Sequence, residues 1–131
     1  MLAQTGPAGV GTNDGTSSLK LWYRTDFGLT TTGTEVDAWQ NGAGVAAHNL
    51  TSTGANRPSV VTATVNGYDE LNLDGNDFMQ VSGALSTTNF ITDQASSFVV
   101  HERLATTNSW VYATSPHQPD RFSCHITWGN G

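Results

Sequence analysis

Alternation of apolar and polar side chains is clearest over Tyr68–Val81, Y-D-E-L-N-L-D-G-N-D-F-M-Q-V. Leu71 and Leu73 alternate with Glu70, Asn72 and Asp74, and Met79 and Val81 share a parity after Asp74-Gly75-Asn76-Asp77. A period of two lines one face of a strand, and Asx and Gly residues supply turn backbone. The stretch predicts a β-hairpin turning at Asp74–Asp77, and no helical period of comparable strength occurs in the chain. Further strands are expected at Leu19–Arg24, with Leu19, Leu21 and Tyr23 on one face, and at Val36–Trp39, Val60–Val65, Ser96–Leu104, Trp110–Ala113 and Arg121–Trp128. Asn66-Gly67 predicts a tight turn out of Val60–Val65. Glu102 breaks the apolar parity of Phe98, Val100 and Leu104, as at a sheet edge or bulge. The expected fold class is all-β, an antiparallel two-sheet sandwich.

The connections fit that reading. Gln40–Ala47 is a loop, Ser82–Ser97 a polar crossing anchored by Phe90 and Ile91, and Ser115–Asp120 a loop because Pro116 and Pro119 donate nothing to a ladder. Residues 1–18, rich in Gly, Thr, Ser and Asn, are expected to be an extended leading segment with little structure, and 19–131 the sandwich. Leu2-Ala3-Gln4 resembles the residues around a signal-peptide cleavage point, which implies export. Gly129-Asn130-Gly131 is turn chemistry that ordinarily leads into a returning strand. The sandwich is therefore expected to be incomplete at its C-terminus, with a strand edge open to another chain.

Composition narrows the class. A chain of 131 residues suits one domain. Only 12% of residues are charged against 37% hydrophobic, so polarity comes from hydroxyls and amides, as in exported β-proteins. Four Trp, five Phe and three Tyr argue against disorder. A net charge of −6 without a basic stripe argues against nucleic acid and anionic membranes, and no apolar run is long enough for a transmembrane helix. Cys124 is the single cysteine, so no disulfide forms within the chain. It shares a parity with Phe122, Ile126 and Trp128, which reads as a small buried hydrophobe rather than a nucleophile.

The segments L-K-L-W-Y-R-T-D-F-G-L-T-T-T-G (19–33), V-D-A-W-Q-N-G (36–42), N-R-P (56–58), N-G (66–67), L-N-L-D-G-N-D-F-M (71–79) and S-F-V-V (97–100) follow one another in a telling order. Together with the opening Gly6-Pro7-Ala8-Gly9-Val10-Gly11, they resemble the laminin-G-like branch of the concanavalin A-like lectin/glucanase superfamily, common in secreted surface proteins of Bacteroidetes-type bacteria. The resemblance implies a two-sheet jelly roll, of which this chain carries the N-terminal part. It also implies a secreted adhesion or glycan-binding role. The superfamily's glucanases carry an E-x-D-x-x-E motif; here Glu35 and Asp37 are followed by Gln40, so no catalysis is expected.

Individual side chains add candidates. Glycoside hydrolysis needs two carboxylates facing each other across a sugar. Glu35, Asp37, Glu70, Asp74 and Asp77 are the acids on offer, and Asp74 and Asp77 already fit turn chemistry. Asp74, Asn76 and Asp77 are the one group that could offer oxygens to calcium, without the twelve-position EF-hand spacing; no other cofactor is implied. His48, His101, His117 and His125 lack zinc spacing. His101, Arg103 and His125 form a polar patch if they share a sheet face. Trp22, Trp39 and Trp128 are expected in the core, whereas Trp110, with Tyr112 beside it, lies between polar loops and is the best aromatic platform for a sugar ring. The candidate ligand-binding residues are thus Trp110, Tyr112, His101, Arg103 and His125. The expected partner is a glycan or cell-surface ligand, with no nucleic acid and no membrane insertion. A second expectation is an assembly module that pairs with itself or its parent protein through strand edges; a third, weaker one is a glycoside hydrolase.

Overall fold

The computed structural model describes residues 4–81, 96–102, 109–113 and 123–126. Eight strands lie among them: β1 (Leu29–Thr32), β2 (Glu35–Trp39), β3 (Leu50–Thr51), β4 (Ser59–Val65), β5 (Tyr68–Asn72), β6 (Gln80–Val81), β7 (Ser109–Ala113) and β8 (Ser123–Ile126). All the pairings are antiparallel, and no α-helix occurs among the described residues, only three short 3-10 turns. The protein is all-β. The chain divides into two compact units, Met1–Gln94 with a six-stranded sheet and Ala95–Gly131 with the β7–β8 ribbon.

In the first unit, β1 runs along one edge of β2, from Leu29↔Trp39 to Thr32↔Glu35. The other edge of β2 carries β3, through Ala38↔Thr51 and Trp39↔Leu50, and β4, through Glu35↔Ser59. β3 and β4 therefore lie end to end. Their far edges carry β6 and β5 in the same register, with Leu50↔Val81 and Thr51↔Gln80 at one end and Ser59↔Asn72 at the other. Residues 50–81 are thus one long hairpin, closed at Asn66-Gly67, from which equal lengths of chain (52–58 and 73–79) bow out side by side. Phe78 N–H donates to the Asn56 carbonyl between the two bows at 3.0 Å. The turn needs positive φ at both central residues, and Asn66 (53°) and Gly67 (83°) provide it.

This topology corrects the expected hairpin about Asp74–Asp77. β5 and β6 do not pair with each other; Asp74–Asp77 bends the outer strand of the larger hairpin. Leu71 is half-buried, but Leu73 lies beyond β5 and is 53% exposed, so the expected apolar face of that stretch is not formed. Two expected strands are also absent. Leu19–Arg24 is outside any ladder, because a side chain occupies the position a partner strand would take: Trp22 N–H donates to Asn41 Oδ1 (2.9 Å) while Trp22 carbonyl accepts from Gly42 N–H (2.7 Å). Residues 96–102 of the expected Ser96–Leu104 strand pair with nothing regular, and Phe98 and Val100 are almost wholly exposed. β1, by contrast, is a strand that alternation does not reveal, since Thr30, Thr31 and Thr32 carry no apolar contrast. The expected turn Gly129–Gly131, the anchors Phe90 and Ile91, and Trp128 lie outside the described residues.

The register sorts the sheet into two faces. Leu29, Trp39, Leu50 and Val81 stand opposite one another across four strands, all half-buried. The next row, Thr30, Ala38, Thr51 and Gln80, belongs to the opposite face because consecutive strand residues alternate. Segment 19–24 covers the apolar row: the Tyr23 ring tilts against Trp39 at 5.4 Å, and Trp39 Nε1–H donates to the Arg24 carbonyl at 2.9 Å. Among the described residues the fully buried apolar ones are Val36 and Ala43, at 0% exposure, and Pro58 beside Val36. Full burial of Val36 contributes about 1.5–3 kcal/mol. Residues 4–13 fold back on themselves through the Thr5↔Thr12 bridge and paired bonds between Gln4 and Asn13, where little structure of their own is expected. Gly15 N–H then ties this segment to the Ala43 carbonyl.

Candidate functional site

The candidates read from sequence fall in several places. In the second unit, β7 and β8 bring Trp110 opposite His125 and Tyr112 opposite Cys124, with an extra β7 residue between the two pairs. That bulge puts Trp110 and Tyr112 in register with consecutive residues of β8. His101 is exposed and outside any strand, so it shares no sheet row with His125; Arg103 lies outside the described residues. Asp74, Asn76 and Asp77 form a self-bonded turn: Asn76 N–H donates to Asp74 Oδ1 and Asp74 N–H to Asp77 Oδ2, both at 3.0 Å. Among the described residues no group of three or more His, Cys, Asp or Glu stands close enough to hold a metal ion. No helix of the described residues is long and apolar enough to cross a membrane.

Of the acids considered for hydrolysis, Asp37, like Asp74 and Asp77, is bonded within the fold. Asp37 is the extra residue of a β-bulge in β2, between the pairs Thr30↔Ala38 and Thr31↔Val36. Its carboxylate accepts from the Thr32 hydroxyl (2.7 Å) and from Arg57 Nη1 (2.8 Å). Those two donors, the Thr32 hydroxyl first, hold the Asp37 carboxyl below its ordinary range. Arg57 closes the bow 52–58, which begins where Ser52 N–H meets the Asp37 carbonyl and ends where Val36 N–H meets that of Pro58. His48, buried at 6% exposure, sets Nδ1 3.3 Å from the Lys20 carbonyl, while its own carbonyl accepts from the Tyr23 hydroxyl.

The sheet face opposite the apolar row holds an open groove of about 380 Å3, lined by Gly28, Leu29, Thr30, Ala38, Gln40 and Asn49. None of the six is ionisable. Thr30 and Ala38 belong to the row that continues through Thr51 to Gln80. Gly28, Gln40 and Asn49 form a second row one step further along the strands, on the same face, and Gln40 N–H donates to the Gly28 carbonyl at 2.9 Å. The approach there is so close that a Cβ on Gly28 would stand 2.6 Å from Gln40 Cβ, and φ at Gly28 is +74°. Only glycine fits. The lining thus offers one hydroxyl, of Thr30, and two carboxamides, of Gln40 and Asn49, between positions that Gly28 and Ala38 leave shallow.

One wall is fixed from behind. Asn49 Oδ1 accepts from Asn41 N–H at 2.9 Å. Asn41 is 2% exposed, and its carboxamide takes Trp22 N–H and Ala43 N–H on Oδ1 and gives its N–H bonds to the Lys20 and Val45 carbonyls. The sequence offers Asn41 only as part of a Gly- and Asn-containing loop, and the groove needs four strands in register before it exists. Neither is marked by a motif. Comparison with known proteins returns no match: no family model, no curated protein and no solved structure is similar to this chain.

Proposed function

We propose that this chain is a secreted, non-catalytic adhesion or glycan-binding module of a bacterial surface protein, and that the Gly28–Asn49 groove is its contact surface. In this reading the antiparallel sheet is one layer of a two-sheet jelly roll of the concanavalin A-like, laminin-G-like kind. The observation that carries it is the groove's lining: one hydroxyl (Thr30) and two carboxamides (Gln40 and Asn49) among Gly28, Leu29 and Ala38, and no charge. Sugar hydroxyls both donate and accept without charge, and amide and hydroxyl side chains answer both. Against catalysis stands Asp37, whose oxygens are taken by Thr32 and Arg57. No cofactor enters the proposal. The test is a glycan array probed with the wild-type chain and with Thr30→Val/Gln40→Ala. Binding is expected for the wild type and is at least about tenfold weaker in the variant, a loss of about 1.4 kcal/mol. An array without a hit overturns the reading. So does release of product from any polysaccharide, which would favour a hydrolase dependent on Glu35 and Asp37.

A second reading, assembly through strand edges, draws on the run Phe98-Val99-Val100, where Phe98 is 96% and Val100 102% exposed. Apolar, rich in β-branched residues and outside any ladder, such a run suits addition to another sheet. Light scattering after size exclusion decides it: a concentration-dependent dimer that Val100→Lys abolishes supports the reading, and a monomer at high concentration removes it.

A further inference from the structure

An asparagine followed by glycine carries a chemistry of its own. Once base takes the proton of the glycine N–H, that nitrogen attacks the asparagine Cγ, the bond from Cγ to the side-chain nitrogen breaks, and ammonia leaves. The five-membered succinimide then takes up water at either carbonyl, which opens it to aspartate or to isoaspartate. Glycine favours the reaction because it has no Cβ to crowd the ring. Asn41-Gly42 and Asn66-Gly67 both carry this dipeptide, and Asn130-Gly131 lies outside the described residues. At Asn41-Gly42 both reacting groups are bound. The Asn41 carboxamide is tied to Trp22, Ala43, Lys20 and Val45, and Gly42 N–H, the nitrogen that would attack, donates to the Trp22 carbonyl at 2.7 Å. Both residues are buried. Asn66 and Gly67 are exposed, and among the described residues neither the Asn66 carboxamide nor Gly67 N–H has a hydrogen-bond partner. A Cβ on Gly67 would meet nothing within 4 Å, so water and hydroxide reach this nitrogen freely. Ring closure needs the Asn66 backbone to rotate out of the turn, and the ladder beneath it yields readily. Beyond Val61↔Glu70 the register of β4 and β5 breaks, and the pair Val65↔Tyr68 alone holds the tip. Between these pairs Ala63 stands at a φ of 54°, and its N–H goes to Asp69 Oδ1 (3.0 Å) rather than into the ladder. A hairpin end so sparsely bonded opens locally at low cost.

We infer that Asn66 is a modification site, converted as the protein ages to aspartate and isoaspartate through a succinimide with Gly67, while the fold protects the same dipeptide at Asn41. Each event adds a negative charge at the hairpin tip, close in sequence to Asp69 and Glu70. Isoaspartate also routes the chain through the side-chain carbon and so lengthens a turn whose two residues set how β4 meets β5.

Incubation of the full chain in mildly alkaline buffer, with its circular dichroism unchanged, tests this when followed by mass-spectrometric sequencing of its peptides. In the folded chain Asn66 should be lost at least about tenfold faster than Asn41, because reaction at Asn41 waits for a costlier opening of the fold. In concentrated urea the two should react at comparable rates, since only the fold distinguishes them. Amide exchange supplies a readout independent of the reaction: Gly67 N–H should exchange much faster than Gly42 N–H. Equal losses at the two positions in the folded chain, an Asn66 that stays intact while the chain in urea reacts, or a Gly67 N–H as slow as that of Gly42 overturns the inference. A preference for Asn66 that persists unchanged in urea overturns it as well, because the flanking residues rather than the fold would then set the rates.

Discussion

Asn41 and Asp37 stand on the same short stretch of chain and organise it by opposite physics. Asn41 is neutral and 2% exposed, and its carboxamide oxygen and nitrogen each bond backbone both of segment 19–24, at Trp22 and Lys20, and of its own loop, at Ala43 and Val45. Asp37 is charged, its side chain is 35% exposed, and its partners are the side chains of Thr32 and Arg57. In a water-poor site a hydrogen bond is electrostatically strong and a lost partner is costly. At the surface, solvent and salt screen the pair and replace either partner when it leaves. The neutral node therefore fixes geometry, and it stands directly behind the groove through Asn49. The charged node fastens a bow of chain whose ends are already held by backbone bonds from Ser52 and Val36.

The largest effect is expected where that contrast is sharpest. Asn41→Ala leaves the N–H groups of Trp22 and Ala43 and the carbonyls of Lys20 and Val45 without their partner in a buried site. Each stranded group costs about 1–3 kcal/mol, so the variant should lose about 3 kcal/mol or more, read as a lower midpoint in urea at an unchanged slope. Asn41→Asp should be no milder, since it keeps the acceptor but turns an oxygen toward two carbonyls. A loss smaller than that of Asp37→Asn would break the comparison.

Next comes Tyr23, on the buried side of the same node. Burial pushes its hydroxyl up to about 12, because the phenolate would lose water it cannot recover. A group whose folded value lies above its unfolded one, near about 10, adds stability in full below that unfolded value and loses it as pH rises toward about 12. Absorbance titration should show one tyrosine ionising late, together with alkaline unfolding, and Tyr23→Phe should remove both. At neutral pH that variant loses only the bond to the His48 carbonyl, about 1 kcal/mol. A late tyrosine that persists in Tyr23→Phe would place the buried phenol elsewhere.

What was legible in the sequence was local. Asn66-Gly67 names its turn because both residues tolerate positive φ, and the strands at Val60–Val65 and Trp110–Ala113 sit beside such signals. Asp74-Gly75-Asn76-Asp77 carries the same residue types and does bend. Whether the chain then folds back is decided by Leu50↔Val81 and Thr51↔Gln80, contacts that no local pattern encodes. Leu19–Arg24 alternates as a strand should, yet its ladder partner is the Asn41 side chain. The groove was illegible for a related reason: Thr30, Gln40 and Asn49 become neighbours only through register, and an uncharged polar row has no motif to announce it. Trp110 and His125 are both candidates from sequence, and they become opposite neighbours only through the β7–β8 register.

The smallest effect belongs to the charged node, and its dependence on conditions is the sharper probe. Asp37→Asn should cost less than either change above, and the cost should shrink as salt is added. Because the native carboxyl is held below its ordinary range, its contribution is present above the unfolded value near about 3.9 and disappears as pH falls through the lower folded one. Urea midpoints of wild type and Asp37→Asn should therefore differ at neutral pH and converge in acid. Asp14 gives the control. The Thr12 and Thr16 hydroxyls hold it down to about 2, so acid should continue to weaken the Asp37→Asn chain through this second carboxylate. Midpoints that stay apart in acid would mean that Asp37 acts by shape at the bulge rather than by charge, and the contrast with Asn41 would then be one of degree.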